Sequence, residues 1–331
     1  MQKKIAILMI TMALTVVGIA ETWRLGNNRE WQKVADGNNT DLTSAVAEAK
    51  QLVATGQRAK AKKAYENIRK NHPELAGGDY DAYVKAELLY AKRKFPEAAQ
   101  AYENMIENYP QSALRQAAME REYQIGTAFL NGQKRTVLKV FKLNAYEEGT
   151  EIMNKIADTA GDAPIAKKSI ETLAVSREKR GAYDEAYLAW ADAANRWPTG
   201  DMGQESLLGM ARSLEKDYRG PAFDGKVLIS SRSYYSEYIE RYPQPAEQMN
   251  LTGKIGELDV KLAEKELLIA NFYARTGSYT AANLYYQKII DTWPTDNAAK
   301  IAEQKIPEMQ KQIAQAQLPK KKKVNWKGLF L

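Results

Sequence analysis

The sequence predicts an all-α protein, a right-handed α-solenoid of about six helix pairs closed by a C-terminal capping helix. Three observations lead to this fold class. Apolar residues recur at helical spacing along most of the chain, glycines interrupt that spacing at regular places, and prolines end it. Because these signals return in the same order at similar intervals, we expect a helix–turn–helix unit that repeats and packs on its neighbours.

The clearest unit runs from Ala263 to Pro294 and has the sequence AEKELLIANFYARTGSYTAANLYYQKIIDTWP. Its first helix is predicted to end near Arg275, because Gly277 adopts at low cost the left-handed conformation that closes a helix. The second helix is predicted over about 278–293, and Pro294 stops it.

The same positions recur in other parts of the chain. An aromatic residue lies eight positions before each of five prolines, and alanines lie twelve and twenty-four positions before four of them. The prolines are Pro73, Pro110, Pro198, Pro243 and Pro294; the aromatic residues are Tyr65, Tyr102, Trp190, Tyr235 and Tyr286; the alanines are Ala49, Ala61, Ala86, Ala98, Ala174, Ala186, Ala270 and Ala282. A glycine lies seventeen positions before three of these four prolines, and Arg93 takes that place in the remaining unit. This frame resembles the tetratricopeptide repeat, a helix pair of about 34 residues.

Composition and charge narrow the range of functions. The chain has 331 residues and no cysteine, which excludes disulfides, thiolate metal sites, a cysteine nucleophile and lipid attachment through cysteine. The net charge of +7 resides in Lys3, Lys4 and the five lysines of residues 318–331, so the body between them is neutral. A nucleic-acid-binding fold would spread a basic face along its domain, and we therefore expect no nucleic-acid partner.

The chain is predicted to contain five segments. Residues 1–20 have the basic start, apolar run and small residues of a signal peptide, and an uncleaved membrane anchor is the alternative. Both a signal peptide and an uncleaved anchor predict that the protein is exported. Residues 21–41 form a polar tether, residues 42–158 the first three repeat units, and residues 159–317 units four to six with the cap. Residues 318–331 form a basic tail.

Two insertions and one long helix interrupt the regular repeats. The third unit contains KRTVLKVFKLNAY and the fifth contains DYRGPAFDGKVL. Insertions in repeat arrays map to loops on one face, often a binding face, and tolerated loops are the alternative. A long helix over about 246–275 is expected to lead into the last repeat.

A more specific resemblance lies in the C-terminal half. The runs KDYRGPAFDGKVLISSRSYYSEYIERYP and LDVKLAEKELLIANFYARTGSYTAANLYYQKIIDTWP resemble the BamD (YfiO) family of the outer-membrane β-barrel assembly machinery. The resemblance spans about residues 42–310. It implies a periplasmic scaffold associated with the outer membrane. Its N-terminal repeats would receive unfolded β-barrel substrates, and its C-terminal repeats would hold a POTRA domain of the barrel-assembly protein.

The chain departs from that family in two places. The family is usually lipidated at a cysteine, and the absence of cysteine predicts that this chain is not. Lys261 stands where the family usually has an arginine that contacts the POTRA domain, so the charge is kept while the planar bidentate fork is lost. The resemblance therefore makes Lys261, with its neighbours Asp259 and Glu264, the candidate partner-binding site.

The residues do not suggest an enzyme. His72 is the only histidine, and it takes a position that is aromatic in the other repeats, so we interpret it as a packing residue. No phosphate-binding glycine loop and no metal-ligand spacing occurs. We expect no catalytic residue, no metal and no cofactor.

The basic tail suggests a possible membrane contact. Lysines followed by apolar residues could bind an anionic membrane surface, and a solvated tail is the alternative. The candidate residues are Lys320, Lys321, Lys322, Lys323 and Trp326. Two other functions stay open at this point. One is an exported repeat adaptor for division or peptidoglycan coordination, and the other is a peripheral membrane-surface protein acting through its tail.

Overall fold

The computed structural model describes residues 23–25, 31–33, 39–137 and 141–317. The predicted signal peptide and basic tail lie outside these residues, as does most of the tether. Fourteen α-helices occur in the described part of the chain. They are α1 (Asn39–Ala54), α2 (Arg58–Asn71), α3 (Gly78–Ala91), α4 (Phe95–Asn108), α5 (Arg115–Leu130), α6 (Tyr146–Ala160), α7 (Pro164–Lys179), α8 (Tyr183–Arg196), α9 (Gly200–Asp217), α10 (Lys226–Arg241), α11 (Pro243–Gln248), α12 (Leu251–Arg275), α13 (Tyr279–Thr292) and α14 (Asn297–Gln317).

The helices follow one another as sequential pairs, which confirms the predicted all-α fold class. The chain divides into two compact units, Met1–Lys94 and Phe95–Leu331. In the first unit, α1 packs on α2 and both contact α3. In the second, each helix from α5 to α10 packs on the next, and α12, α13 and α14 pack together at the C-terminal end. Thirteen helices correspond to the six predicted pairs and the cap, and α11 is additional.

The repeat frame marks the places where helices approach most closely. All eight frame alanines have no exposed surface, and the five frame aromatic rings are at most 4% exposed. A methyl side chain lets two helix backbones come together, and the ring beside it fills the space toward the next helix. Trp190 on α8 is the largest of these rings. A Cβ atom added at Gly209 of α9 would lie 2.3 Å from its Cδ2 atom, so only glycine fits there.

The turns within the repeats share one backbone conformation. Gly56, Gly181 and Gly277 have φ angles of +75°, +76° and +78°, and Arg93 has +59° in the same place. Arginine thus adopts the left-handed conformation that glycine adopts in the other units. An L residue with a Cβ atom is strained in this region, whereas glycine is not.

The insertion of the third unit forms a β-hairpin. Strand β3 (Lys134–Val137) pairs antiparallel with β4 (Phe141–Asn144), with Val137 opposite Phe141. Its β-branched residues favour strands, which accounts for the local change from helix. A second short hairpin, β1 (Trp23–Leu25) with β2 (Trp31–Lys33), precedes α1.

The long helix predicted over about 246–275 corresponds to α12, which begins later, at Leu251, and is preceded by the separate short helix α11. The helix breaks between α11 and α12, where Asn250 has a φ angle of +52°. Asparagine tolerates the left-handed region better than most residues, and its backbone N–H donates to the carbonyl of Glu247 at 2.9 Å. No helix in the described residues is long and apolar enough to span a membrane.

The left-handed turn at Arg93 leads to a stability prediction. We expect Arg93→Gly to raise the free energy of unfolding by about 0.5–1 kcal/mol, because relief of backbone strain outweighs the entropy that glycine adds to the unfolded chain. The substitution also removes the 3.5 Å contact from the Arg93 guanidinium to the Ala54 carbonyl. Urea denaturation followed by circular dichroism measures the change.

The neighbouring residue provides the control. Lys92 has a φ angle of −80°, which any residue adopts, so Lys92→Gly should lower the free energy of unfolding. Equal destabilisation by both substitutions would contradict the assignment of strain to Arg93.

Candidate partner-binding surface

The three candidate residues lie on α12, which packs against α10, α13 and α14. Lys261 extends from α12 toward α9, where its Nζ atom lies 3.2 Å from Oε1 of Glu215. Lys254 approaches the same oxygen at 3.0 Å. The Glu215 side chain is only 12% exposed, whereas 38% of the Lys261 side chain remains exposed. Lys261 is therefore partly engaged inside the protein and partly available at the surface.

Asp259 takes part in an internal contact. Its Oδ1 atom accepts hydrogen bonds from Nε of Arg232 at 2.7 Å and from Nε1 of Trp293 at 3.2 Å. Arg232 lies on α10, and Trp293 follows α13. Two residues apart on a helix are separated by about 200° around the axis, so Asp259 and Lys261 point to nearly opposite sides of α12. The carboxylate of Asp259 thus links α12 to α10 and to the residue that follows α13.

Glu264 lies on the exposed side of α12, less than one turn from Lys261. Burial raises the pKa of the Tyr218 hydroxyl, and the negative charge of Glu264 raises it further. Tyr218 lies at the start of the insertion between α9 and α10. Of the three candidates, Lys261 and Glu264 share a surface next to this insertion, and Asp259 does not.

A second cluster of charged and polar residues links α7, α8 and α9, and no sequence pattern predicted it. Glu178 on α7 accepts hydrogen bonds from Nε of Arg212 at 2.9 Å, Nε1 of Trp190 at 2.8 Å and Oγ of Ser213 at 3.2 Å. Although burial favours the neutral carboxyl, the hydrogen bonds from Arg212, Trp190 and Ser213 lower the pKa of Glu178. Because these side chains are hydrogen-bonded to one another, they stabilise the packing of α7, α8 and α9.

Each compact unit also contains a groove. In the first, a groove of about 580 Å³ lies along α1 and α2, lined by Leu52 and Ile68 together with Glu48, Lys63 and His72. Nδ1 of His72 lies 3.1 Å from Oε1 of Glu74. This mixture of apolar and charged groups suits an extended peptide, whose backbone is polar and whose side chains vary.

The groove in the second unit is more polar. It measures about 790 Å³ and lies beside the β3–β4 hairpin, α6 and α7. Its charges are largely paired: Arg135 with Glu148, and Arg177 with Glu185 at 3.3 Å. Within the described ranges, no group of histidine, aspartate and glutamate is arranged to hold a metal ion.

Two family models match this sequence. The model of YfiO, described as an outer membrane lipoprotein, matches residues 216–325. Residues 216–325 are therefore similar to the YfiO family. This region contains the fifth-unit insertion, α10 to α14 and all three candidate residues on α12. The YfiO match confirms the resemblance noted from the sequence, and the chain contains no cysteine that could carry a lipid.

The tetratricopeptide repeat model matches residues 46–113, which cover most of α1 and all of α2 to α4. The repeats predicted from the proline frame are therefore confirmed there. Tetratricopeptide repeats bind other proteins, and YfiO proteins are scaffolds of this kind. No curated protein matches the chain significantly.

A buried carboxyl near the second groove leads to a pH-dependent prediction. Glu122 on α5 is 8% exposed. Its pKa is raised from 4.5 to about 8, mainly by burial and also by the charges of Glu103 and Glu107, while the charge of Lys155 opposes them. A raised carboxyl pKa means that the folded state binds the proton more tightly. The folded state therefore loses stability as the pH rises from about 4.5 to about 8.

We expect Glu122→Gln to remove this loss, because glutamine resembles the protonated carboxyl. The free energy of unfolding of the variant should equal that of the wild type near pH 4.5 and exceed it above about pH 8. The difference should reach a few kcal/mol, because one pKa unit corresponds to about 1.4 kcal/mol. Thermal unfolding at both pH values measures the difference. Glu120→Gln, exposed on the same helix, is the control. A gain that is the same at both pH values would contradict the assignment.

Proposed function

We propose that this chain is an exported, non-enzymatic scaffold that binds proteins of the outer-membrane β-barrel assembly machinery and helps insert β-barrel proteins into the outer membrane. The YfiO match over residues 216–325 carries the proposal, because it includes the surface formed by Lys261 and Glu264. The repeats act by binding, and the proposal assigns no catalytic residue and no cofactor.

The two ends of the repeat region have different partners in this proposal. The C-terminal repeats, around Lys261 and the fifth-unit insertion, hold a POTRA domain of the barrel-assembly protein. The N-terminal repeats receive unfolded β-barrel substrate, and the mixed lining of the α1–α2 groove supports this part. A preformed helical surface loses little conformational entropy on binding, so many small contacts add up to a useful affinity.

The proposal places the protein in the periplasm, next to the outer membrane. These 331 residues contain no cysteine to carry a lipid. We therefore assign its position at the membrane to protein contacts, with a possible peripheral contribution from the basic tail.

The contact at Lys261 is tested by charge reversal. Purified POTRA domains of the barrel-assembly protein are expected to bind the full chain in isothermal titration calorimetry. Lys261→Glu should weaken that binding about tenfold or more, which corresponds to about 1.4 kcal/mol. The physical reason is that an attractive charge at the contact becomes a repulsive one.

Lys254→Glu is the matched control. Lys254 contacts the same Glu215 oxygen as Lys261, so both substitutions disturb the same internal ion pair. If Lys261 also contacts the partner, Lys261→Glu should bind the POTRA domains more weakly than Lys254→Glu does. The proposal is wrong if the POTRA domains do not bind the wild type, or if Lys261→Glu binds equally well.

A further inference from the structure

The groove of the first unit lies between α1 and α2, where the described repeats begin. Its lining comes from these two helices and from His72, and none of the described residues of α3 or α4 contributes to it. In a repeat array each helix pair covers the pair before it, so the first pair keeps one side uncovered unless a cap closes it. At the C-terminal end α14 is that cap, whereas the described residues contain no helix before α1.

The groove combines an apolar lining with two charged edges. The apolar part of the lining comes from Ala45, Leu52, Ala64 and Ile68. The α1 edge carries the carboxylates of Asp41 and Glu48, and the α2 edge carries the ammonium groups of Lys60 and Lys63. None of these four charges is ion-paired with another residue in the described part of the chain. The groove therefore offers apolar surface beside a free negative edge.

The hairpin that precedes α1 has one apolar face. Its register pairs Trp23 with Lys33, Arg24 with Gln32 and Leu25 with Trp31. Residues directly opposite each other share a face, and successive residues alternate between the two faces. One face therefore carries Trp23, Leu25 and Trp31, together with Lys33, and the other carries the polar pair. A two-stranded hairpin is at best marginally stable in water, so it gains its stability by packing on another surface.

The chain connects this hairpin directly to the groove. Only residues 34–38 separate the end of β2 from the start of α1, and Asp41 in the first turn of α1 already lines the groove. Five extended residues span at most about 17 Å, which is roughly the length of α1 from Asp41 to Leu52. The connecting sequence VADGN contains aspartate, glycine and asparagine, which favour turns. The hairpin can thus fold back along α1, and its short attachment gives it a high effective concentration at the groove.

We propose that the N-terminal hairpin covers the α1–α2 groove as an N-terminal cap, with the face of Trp23, Leu25 and Trp31 on the apolar lining. Lys33 shares that face and is the strand residue closest to α1 along the chain. In this arrangement it complements the acidic edge of the groove, where neither carboxylate has an internal ion pair.

The cap has a consequence for substrate binding, and this consequence rests on the proposed function. The α1–α2 groove is the one assigned above to unfolded β-barrel substrate, so the substrate must displace the hairpin before it binds. A hairpin that occupies the groove for about nine-tenths of the time weakens the apparent affinity for substrate about tenfold. The cap thus sets how readily the groove accepts an extended chain.

Contact quenching measures where the hairpin lies. The chain has no cysteine, so a single Asn67→Cys in the groove lining can be labelled with bimane, a fluorophore that tryptophan quenches on contact. The labelled full chain should fluoresce severalfold more weakly than the same protein carrying Trp23→Phe and Trp31→Phe. Phenylalanine keeps an apolar aromatic face on the hairpin and removes the quencher.

A label at Lys62→Cys is the matched control. Lys62 is on the same helix, five residues from Asn67 and about 140° away around the axis, and 59% of its side chain is exposed. The two phenylalanine substitutions should leave the fluorescence of this label unchanged.

Competition is measured with an extended synthetic peptide that alternates apolar and polar residues, as the strands of membrane β-barrels do. In fluorescence anisotropy, Trp23→Ser with Trp31→Ser should bind the peptide about tenfold more tightly than the wild type, because the groove is no longer occupied. Arg24→Ser with Gln32→Ser changes the opposite face of the hairpin and should bind like the wild type. An unchanged circular dichroism spectrum shows that the repeats of each variant remain folded.

The outcomes separate this inference from the proposed function. If the bimane label at residue 67 is equally bright with and without the two tryptophans, the cap is wrong and the proposed function stands. If adding unlabelled wild type quenches the labelled phenylalanine variant, the hairpin comes from a second copy, which overturns the intramolecular cap. If the label is quenched and no variant binds the peptide, the cap stands and the substrate role of the groove is wrong. Equal peptide affinity of the wild type and the serine variant overturns the displacement step.

Discussion

Close packing of helices at small buried residues is the constraint on which the structure depends. The frame alanines are wholly buried, and in the second unit the ring of Trp190 leaves no room for a side chain at Gly209. Such contacts fix the distance between successive helices, because one additional methyl group at the contact would force the helices apart. They also fix the interval along the chain at which alanine, aromatic ring and proline must return.

A fixed interval determines where additional residues can go. A unit that must pack on both neighbours has no space for an insertion inside its helices, so extra residues leave the packed core at the turns. The β3–β4 hairpin and the loop between α9 and α10 are of this kind. The hairpin borders the polar groove of the second unit, and the loop is attached to α12. The features that distinguish this chain from a regular repeat therefore lie at its surface, where partners can reach them.

The sequence predicted most of the fold because the residues that pack the helices are also the residues that recur. The left-handed turn at Arg93 was visible only as an exception to glycine, and the break at Asn250 fell between two recurring positions. The candidate site was less predictable. Lys261, Asp259 and Glu264 are close in sequence, yet Asp259 is bound by Arg232 and Trp293, which come from distant parts of the chain. The hydrogen bonds from Nζ of Lys265 to the carbonyl oxygens of Pro221 and Phe223 are likewise long-range contacts that periodicity does not record.

The charges on α12 limit how much of a partner contact they can supply. Nζ of Lys261 lies 3.2 Å from Glu215, and a lysine lacks the bidentate geometry of the arginine usual in the family. A partly exposed ammonium of this kind contributes about 1 kcal/mol or less to a contact. In the proposed contact, Lys261 therefore acts mainly on the rate and orientation of approach, which is the role that exposed charges fill best at protein interfaces.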